Sequence, residues 1–140
     1  MFKTSHTVKT LAEPEEIWAW VKDVTRWKSW LLGIDMIQLH GPLVSGVEGL
    51  MFLSDGKVHR MIIQKYDLGR VEITVILKFG VKMHLLVDIS RLPDGSQVKL
   101  EGVLFGAMAI FHAWGWGRNL KTGLIPTTRR LGMLGQGLQP

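Results

Sequence analysis

The chain has no cysteine, and it has no aspartate or glutamate anywhere from Gly102 to Pro140. The first absence excludes disulfides, thiolate metal sites and a cysteine nucleophile. It fits a reducing compartment, so a cytoplasmic protein is expected. The second leaves Arg118, Lys121, Arg129 and Arg130 as the only charged residues of the last stretch, within a formal net charge of +5. No RNP, zinc-finger or helix-turn-helix signature accompanies this basic segment, so it reads as a solvated helix face and nucleic acid is not expected as a partner.

Long apolar runs are missing too. The opening "MFKTSHTVKT" holds none of signal-peptide length, so secretion is not expected. The most membrane-like window, "AMAIFHAWGWGRNLKTGLI", is interrupted by Arg118, Asn119 and Lys121. A spanning helix needs about 20 apolar residues, so stable membrane insertion is not expected.

The catalytic signatures are also absent. His6, His40, His59, His84 and His112 form no H-x-x-x-H or H-E-x-x-H pair, which argues against a metal site; no cofactor is called for. There is no G-x-S-x-G elbow. The glycine-rich "GPLVSGVEG" lacks G-K-[ST] and precedes a strand, so it is not a phosphate loop. The acids fall on wet strand faces or at helix starts, which leaves no carboxylate pair for acid–base work.

What is present is a patterned chain whose 140 residues suit one domain, spanning residues 1–140. Residues 2–10 alternate, with Phe2, Thr4, His6 and Val8 on one side and lysines on the other, which predicts a strand with one wet face. In "AEPEEIWAWV", Pro14 suits a first helical turn and Glu15 and Glu16 suit its positive end. Ile17, Trp20, Val21 and Val24 form the apolar stripe of that helix. Asp23 can cap a second short helix reaching Trp30, and Gly33 would stop it.

From Ile34 to Gly106 the text turns into hairpins: "SDGK", "DLGR", Gly80 and "PDGS" punctuate alternating runs. Val71, Ile73, Val75 and Leu77, then Val81, Met83, Leu85, Val87 and Ile89, then Val98, Leu100, Gly102 and Leu104 each form a clean apolar face. Opposite them stand Glu72, Lys78, Lys82, His84, Asp88, Lys99 and Glu101. This predicts an antiparallel meander with one buried face. The run from Lys57 to Tyr66 does not decide its own face.

After Gly106 a helical period runs from Ala107 to about Leu134, with Ile110, Ala113, Trp114, Gly117, Leu120, Leu124, Leu131 and Leu134 near one side. Pro126, beside Gly123, predicts a bend or break near Thr122–Pro126. The part beyond the break would then swing away, leaving Leu131 and Leu134 to seek their own sheet's rim or a second copy in a homodimer. A sheet with one apolar face needs a cover, and the last helix is the only element long enough. The expected fold class is α+β: a curved antiparallel sheet, two short helices and a long C-terminal helix covering a cavity, a helix grip.

The segments "AEPEEIWAWVKDVTRWKSW", "GPLVSGVEG" and "PDGSQVKLEG", with the amphipathic end, resemble the START-like (SRPBCC) superfamily, within it the polyketide cyclase/dehydrase and lipid-transport branch. The resemblance covers nearly the whole chain. Pro126 and its neighbouring glycines depart from it, because members usually show a smoother last helix. The resemblance implies a cavity between sheet and helix that takes a small hydrophobic or amphipathic molecule.

On that reading the expected ligand-binding residues are His6, Trp30, Tyr66, Met83, Leu85, Leu100, Leu104, Phe111, Trp114 and Arg118, with Arg60 a further polar candidate; no catalytic residue is assigned. Trp18, Trp20 and Trp27 are expected in the core, whereas Trp30 and Trp114 suit either core or ligand wall. Two other functions stay open: an aromatase/cyclase-type enzyme using the same cavity, and an interaction module docking through the basic C-terminal helix.

Overall fold

In the computed structural model, residues 2–106 and 118–138 are described. Seven strands form one antiparallel sheet: β1 (Phe2–Thr10), β2 (Ile34–Leu39), β3 (Glu48–Leu53), β4 (Val58–Asp67), β5 (Arg70–Ile76), β6 (Lys82–Leu92) and β7 (Gly95–Phe105). Strands β2 to β7 follow one another as a meander, and β1 joins the far edge beside β7, giving the order β1-β7-β6-β5-β4-β3-β2. The turns are local chemistry. In "SDGK" the Asp55 carboxylate accepts the N–H of Lys57 at 2.9 Å, while Gly56 takes a φ of +90° that a side chain would resist.

The register places the expected apolar faces together. Ile73 lies opposite Leu85, Val75 opposite Met83, and Val71 opposite Val87; across the next seam Met83 meets Leu104 and Val87 meets Leu100. The reverse face carries an ionic lattice. Arg70 reaches Glu72 and Asp88 at 3.4 and 3.7 Å, and Glu101 holds Lys3 and Lys99, each at 3.5 Å. His84 sits in this lattice, between Glu72 and the Thr74 hydroxyl.

Two short helices cross between β1 and β2: α1 (Pro14–Val21) and a 3-10 helix (Val24–Ser29). Asp23 caps the second by accepting the N–H and hydroxyl of Thr25, and those bonds hold its carboxyl below the ordinary value. Arg91 of β6 clasps Glu13 and Glu15 at the start of α1.

The apolar stripe of α1 differs from the expected one: Ile17, Trp18 and Val21 are buried, whereas Trp20 is only half-buried and lies under the Arg26 guanidinium, 4.9 Å from its ring. Trp18 takes the inner place and packs against Tyr66, ring centroids 5.5 Å apart. Trp27 and Trp30 are fully enclosed, and each indole N–H is satisfied by a carbonyl, that of Val21 at 2.7 Å and that of Trp20 at 2.9 Å.

The last helix, α2 (Arg118–Gly135), crosses β1 and β7 and meets α1. It is continuous, so the expected break at Pro126 does not occur. Tertiary contacts hold both sides of the proline. Leu124 and Leu131 are buried in the main core, Thr128 donates its hydroxyl to the Leu124 carbonyl, and Thr127 accepts the N–H of Leu32. Beyond the proline, the Gly132 carbonyl accepts the Thr10 hydroxyl, and Gln136 bonds to the same side chain. The segment therefore does not swing away. Leu131 is 0% exposed and Leu134, partly buried, packs on the same core, so both find an apolar partner within their own chain. The expected start of this helix, from Ala107, lies outside the described residues. No described helix is long and apolar enough to cross a membrane.

Candidate ligand-binding site

The concave face of the sheet and α2 do not close completely on each other. Between them lies a cavity of about 540 Å³. Its floor is Ile73, Val75, Met83, Leu85, Val87, Leu100 and Leu104, supplied by β5, β6 and β7 at alternate positions. One wall is Met51 with Trp30 and the loop Leu31–Ile34. The roof among the described residues is Gly123, Leu124 and Thr127 of α2.

Apart from Thr127, the polar side chains among the described lining residues gather at one end. Antiparallel pairing puts the β3–β4 turn and the β5–β6 turn at the same end of the sheet, and from them Ser54, Asp55, Lys57 and Lys78 reach the cavity, with His59 just inside. The deeper walls carry no charged side chain among the described residues.

Of the ligand-binding residues expected from sequence, Trp30, Met83, Leu85, Leu100 and Leu104 line this cavity. His6 is on the inner face of β1 opposite Leu100, but it does not line the cavity. Tyr66 lies elsewhere, on the edge of a second depression of about 650 Å³ shared with Lys22, Asp23, Val24 and Leu43. That depression is larger in volume but shallow and open, so it encloses much less of any guest. Arg60 pairs with Ile76 on the convex face, away from the cavity. Phe111 and Trp114 lie outside the described residues, as does the side chain of Arg118.

Sequence reading missed Met51, Ile73, Val75, Lys57, His59, Lys78 and Leu124. Ile73, Val75 and Leu124 stood on correctly read apolar faces. His59 and Met51 are opposite each other across the β3–β4 pair, and the run containing His59 was ambiguous. Lys78, expected on the wet face of β5, stands in the turn beyond that strand's end. No group of metal-ligating side chains occurs among the described residues.

No protein-family model and no curated protein matches the chain. Solved structures do. Protein MLL2253 from Mesorhizobium loti superposes with a TM-score of 0.76 at 16% identity, covering 96% of this chain and 97% of its own. The di-domain ARO/CYC StfQ from the steffimycin biosynthetic pathway gives 0.76 at 8% identity; 97% of this chain spans about half (51%) of that one. Ara h 8.0201 gives 0.70 at 14%, with 96% and 97% covered. The fold is thus the helix-grip fold, shared with these solved structures. At such identities the likeness carries the fold and leaves the chemistry to the site.

Proposed function

We propose that the protein binds a small hydrophobic or amphipathic molecule in the cavity between sheet and α2. The observation that carries this reading is the cavity itself. About 540 Å³ of space bounded by aliphatic side chains lies within the usual range of small-molecule sites, roughly 300–1,000 Å³. A close-packed domain of this size has no structural need of such a void, and its lining forgoes dispersion contacts for as long as it stays unfilled.

The docking-module reading finds less support, because the apolar residues Leu124 and Leu131 of α2 are already spent on the protein's own core. A cyclase reading would call for several polar groups deep in the cavity, and apart from Thr127 in the roof the described ones sit at its mouth.

Nile red, an uncharged apolar dye, tests the proposal. It is expected to bind with a blue-shifted, enhanced emission. Leu85→Trp, which fills the floor, is expected to abolish that response while the far-UV circular dichroism stays unchanged. A control at the outer face, Lys99→Trp, should leave it intact. Equal dye response in wild type and Leu85→Trp would overturn the proposal.

A further inference from the structure

The distribution of charge around the cavity says more about its occupant than its volume does. Lys57 and Lys78 belong to different turns, yet both line the same cavity and both are exposed to solvent, which marks that end as its mouth. The last paired residues of β4 and β5 before that end are Arg60 and Ile76. His59 is one position closer to the opening than Arg60, and its neighbours in the chain put the two lysines beyond it. The turns are pinned, not loose. The Leu53 N–H donates to the Lys57 carbonyl at 2.8 Å, the Leu77 N–H to the Val81 carbonyl at 2.9 Å, and the Ser54 N–H to the Gly33 carbonyl at 2.9 Å.

Among the described residues, one acid shares this rim. Asp55 approaches the Lys57 ammonium only at 3.8 Å, with both side chains more than half exposed, and its other oxygen is occupied by the Lys57 N–H. Lys78 enters no ion pair among the described residues. Among the described residues, two lysines against one carboxylate leave a net positive mouth over an interior without charge.

Resting on the binding reading above, we infer that the occupant is an amphipathic anion: an apolar body lying on Leu85, Leu100 and Leu104, and a carboxylate or similar single-charge head held at the mouth by Lys57, Lys78 and the ring N–H of His59. A buried anion at the apolar end would be unpaired and costly, whereas at the mouth it keeps water and gains charged donors. Head and body are thus assigned to opposite ends, which fixes the direction of entry.

The test compares dodecanoate with dodecanol, which share one chain, as competitors of Nile red. Dodecanoate is expected to bind roughly tenfold more tightly, a lead built from exposed charge pairs that each contribute only about threefold and that shrink as salt rises. In the double variant Lys57→Gln/Lys78→Gln, and separately in Lys78→Glu, that lead should vanish, while dodecanol affinity holds. Lys9→Gln, which removes the same charge at the other end of the sheet, should preserve it. If dodecanol binds as well as dodecanoate to the wild type, the anionic head is refuted and the apolar cavity stands. A carboxylate lead that survives both mouth variants would refute its placement. If the dye and both competitors fail to bind, the binding reading fails and this inference with it.

Discussion

Two glycines of α2, Gly123 and Gly135, meet opposite surroundings. A Cβ at Gly135 would lie 2.5 Å from Cγ1 of Ile17 and 3.3 Å from both the Ile17 Cα and the Ala12 Cβ, and Ile17 is wholly buried. Gly135→Ala is therefore expected to destabilise the protein by roughly 1–2 kcal/mol, overpacking outweighing the gain in helix propensity. At Gly123 a Cβ meets no described atom within 4 Å. Gly123→Ala is expected to stabilise by up to about 1 kcal/mol. Urea unfolding of both variants checks the pair, and equal shifts of one sign would contradict it. The same scale shows where sequence reading fails on a short helix. With only eight residues, α1 has too few turns to fix its phase, so Trp18 and Trp20 could exchange roles. What decided between them was tertiary: Tyr66 packs on Trp18, and Arg26 covers Trp20.

Among the elements, the meander was the most legible because its turns and its alternation gave independent signals. "SDGK" and "PDGS" marked hairpins, and β5, β6 and β7 each showed one aliphatic face. Strand β4 was not legible, for a physical reason. Met61 and Ile63 face the core while Ile62 points the other way, and a bulge between Ile63 and Lys65 then shifts the alternation before Tyr66. An apolar residue on each face erases the period-two signal. The cavity's floor could be read from the strands, but its mouth could not, because it is assembled from turns whose neighbours are set by pairing. The proline of α2 shows local preference overruled. An interior proline costs about 3 kcal/mol relative to alanine, yet the helix continues because its flanks are anchored to β1 and to the loop at Leu32. Pro126→Ala would restore a donor for the Thr122 carbonyl. It is expected to raise stability by on the order of 1 kcal/mol, after allowing for a more flexible unfolded chain. Denaturant midpoints test this, and a clear loss of stability would show that packing of the proline ring outweighs the missing bond.

At the scale of the whole molecule, an occupant that binds only the folded state adds to stability by mass action. At a hundredfold excess over its Kd the gain is about 2.7 kcal/mol. The melting temperature should thus rise with dodecanoate concentration in the wild type and stay flat in Leu85→Trp, a comparison that differential scanning calorimetry can make. A melting curve indifferent to the ligand in both proteins would count against the cavity as its site. The sheet order bears on kinetics as well. Among the described strands β1 pairs only with β7, with Phe2 opposite Leu104 and Thr10 opposite Ser96. β1 must therefore wait for β7, the last of the described strands in chain order, before its ladder can form, whereas neighbours within the meander are joined by much shorter connections. Loop-closure entropy for β1 is met before any of its contacts reward it, which puts the molecule among slow, high-contact-order folders. In the interval β1 is an open edge, and its alternate lysines, Lys3 and Lys9, are the charges that discourage a neighbouring chain from pairing with it.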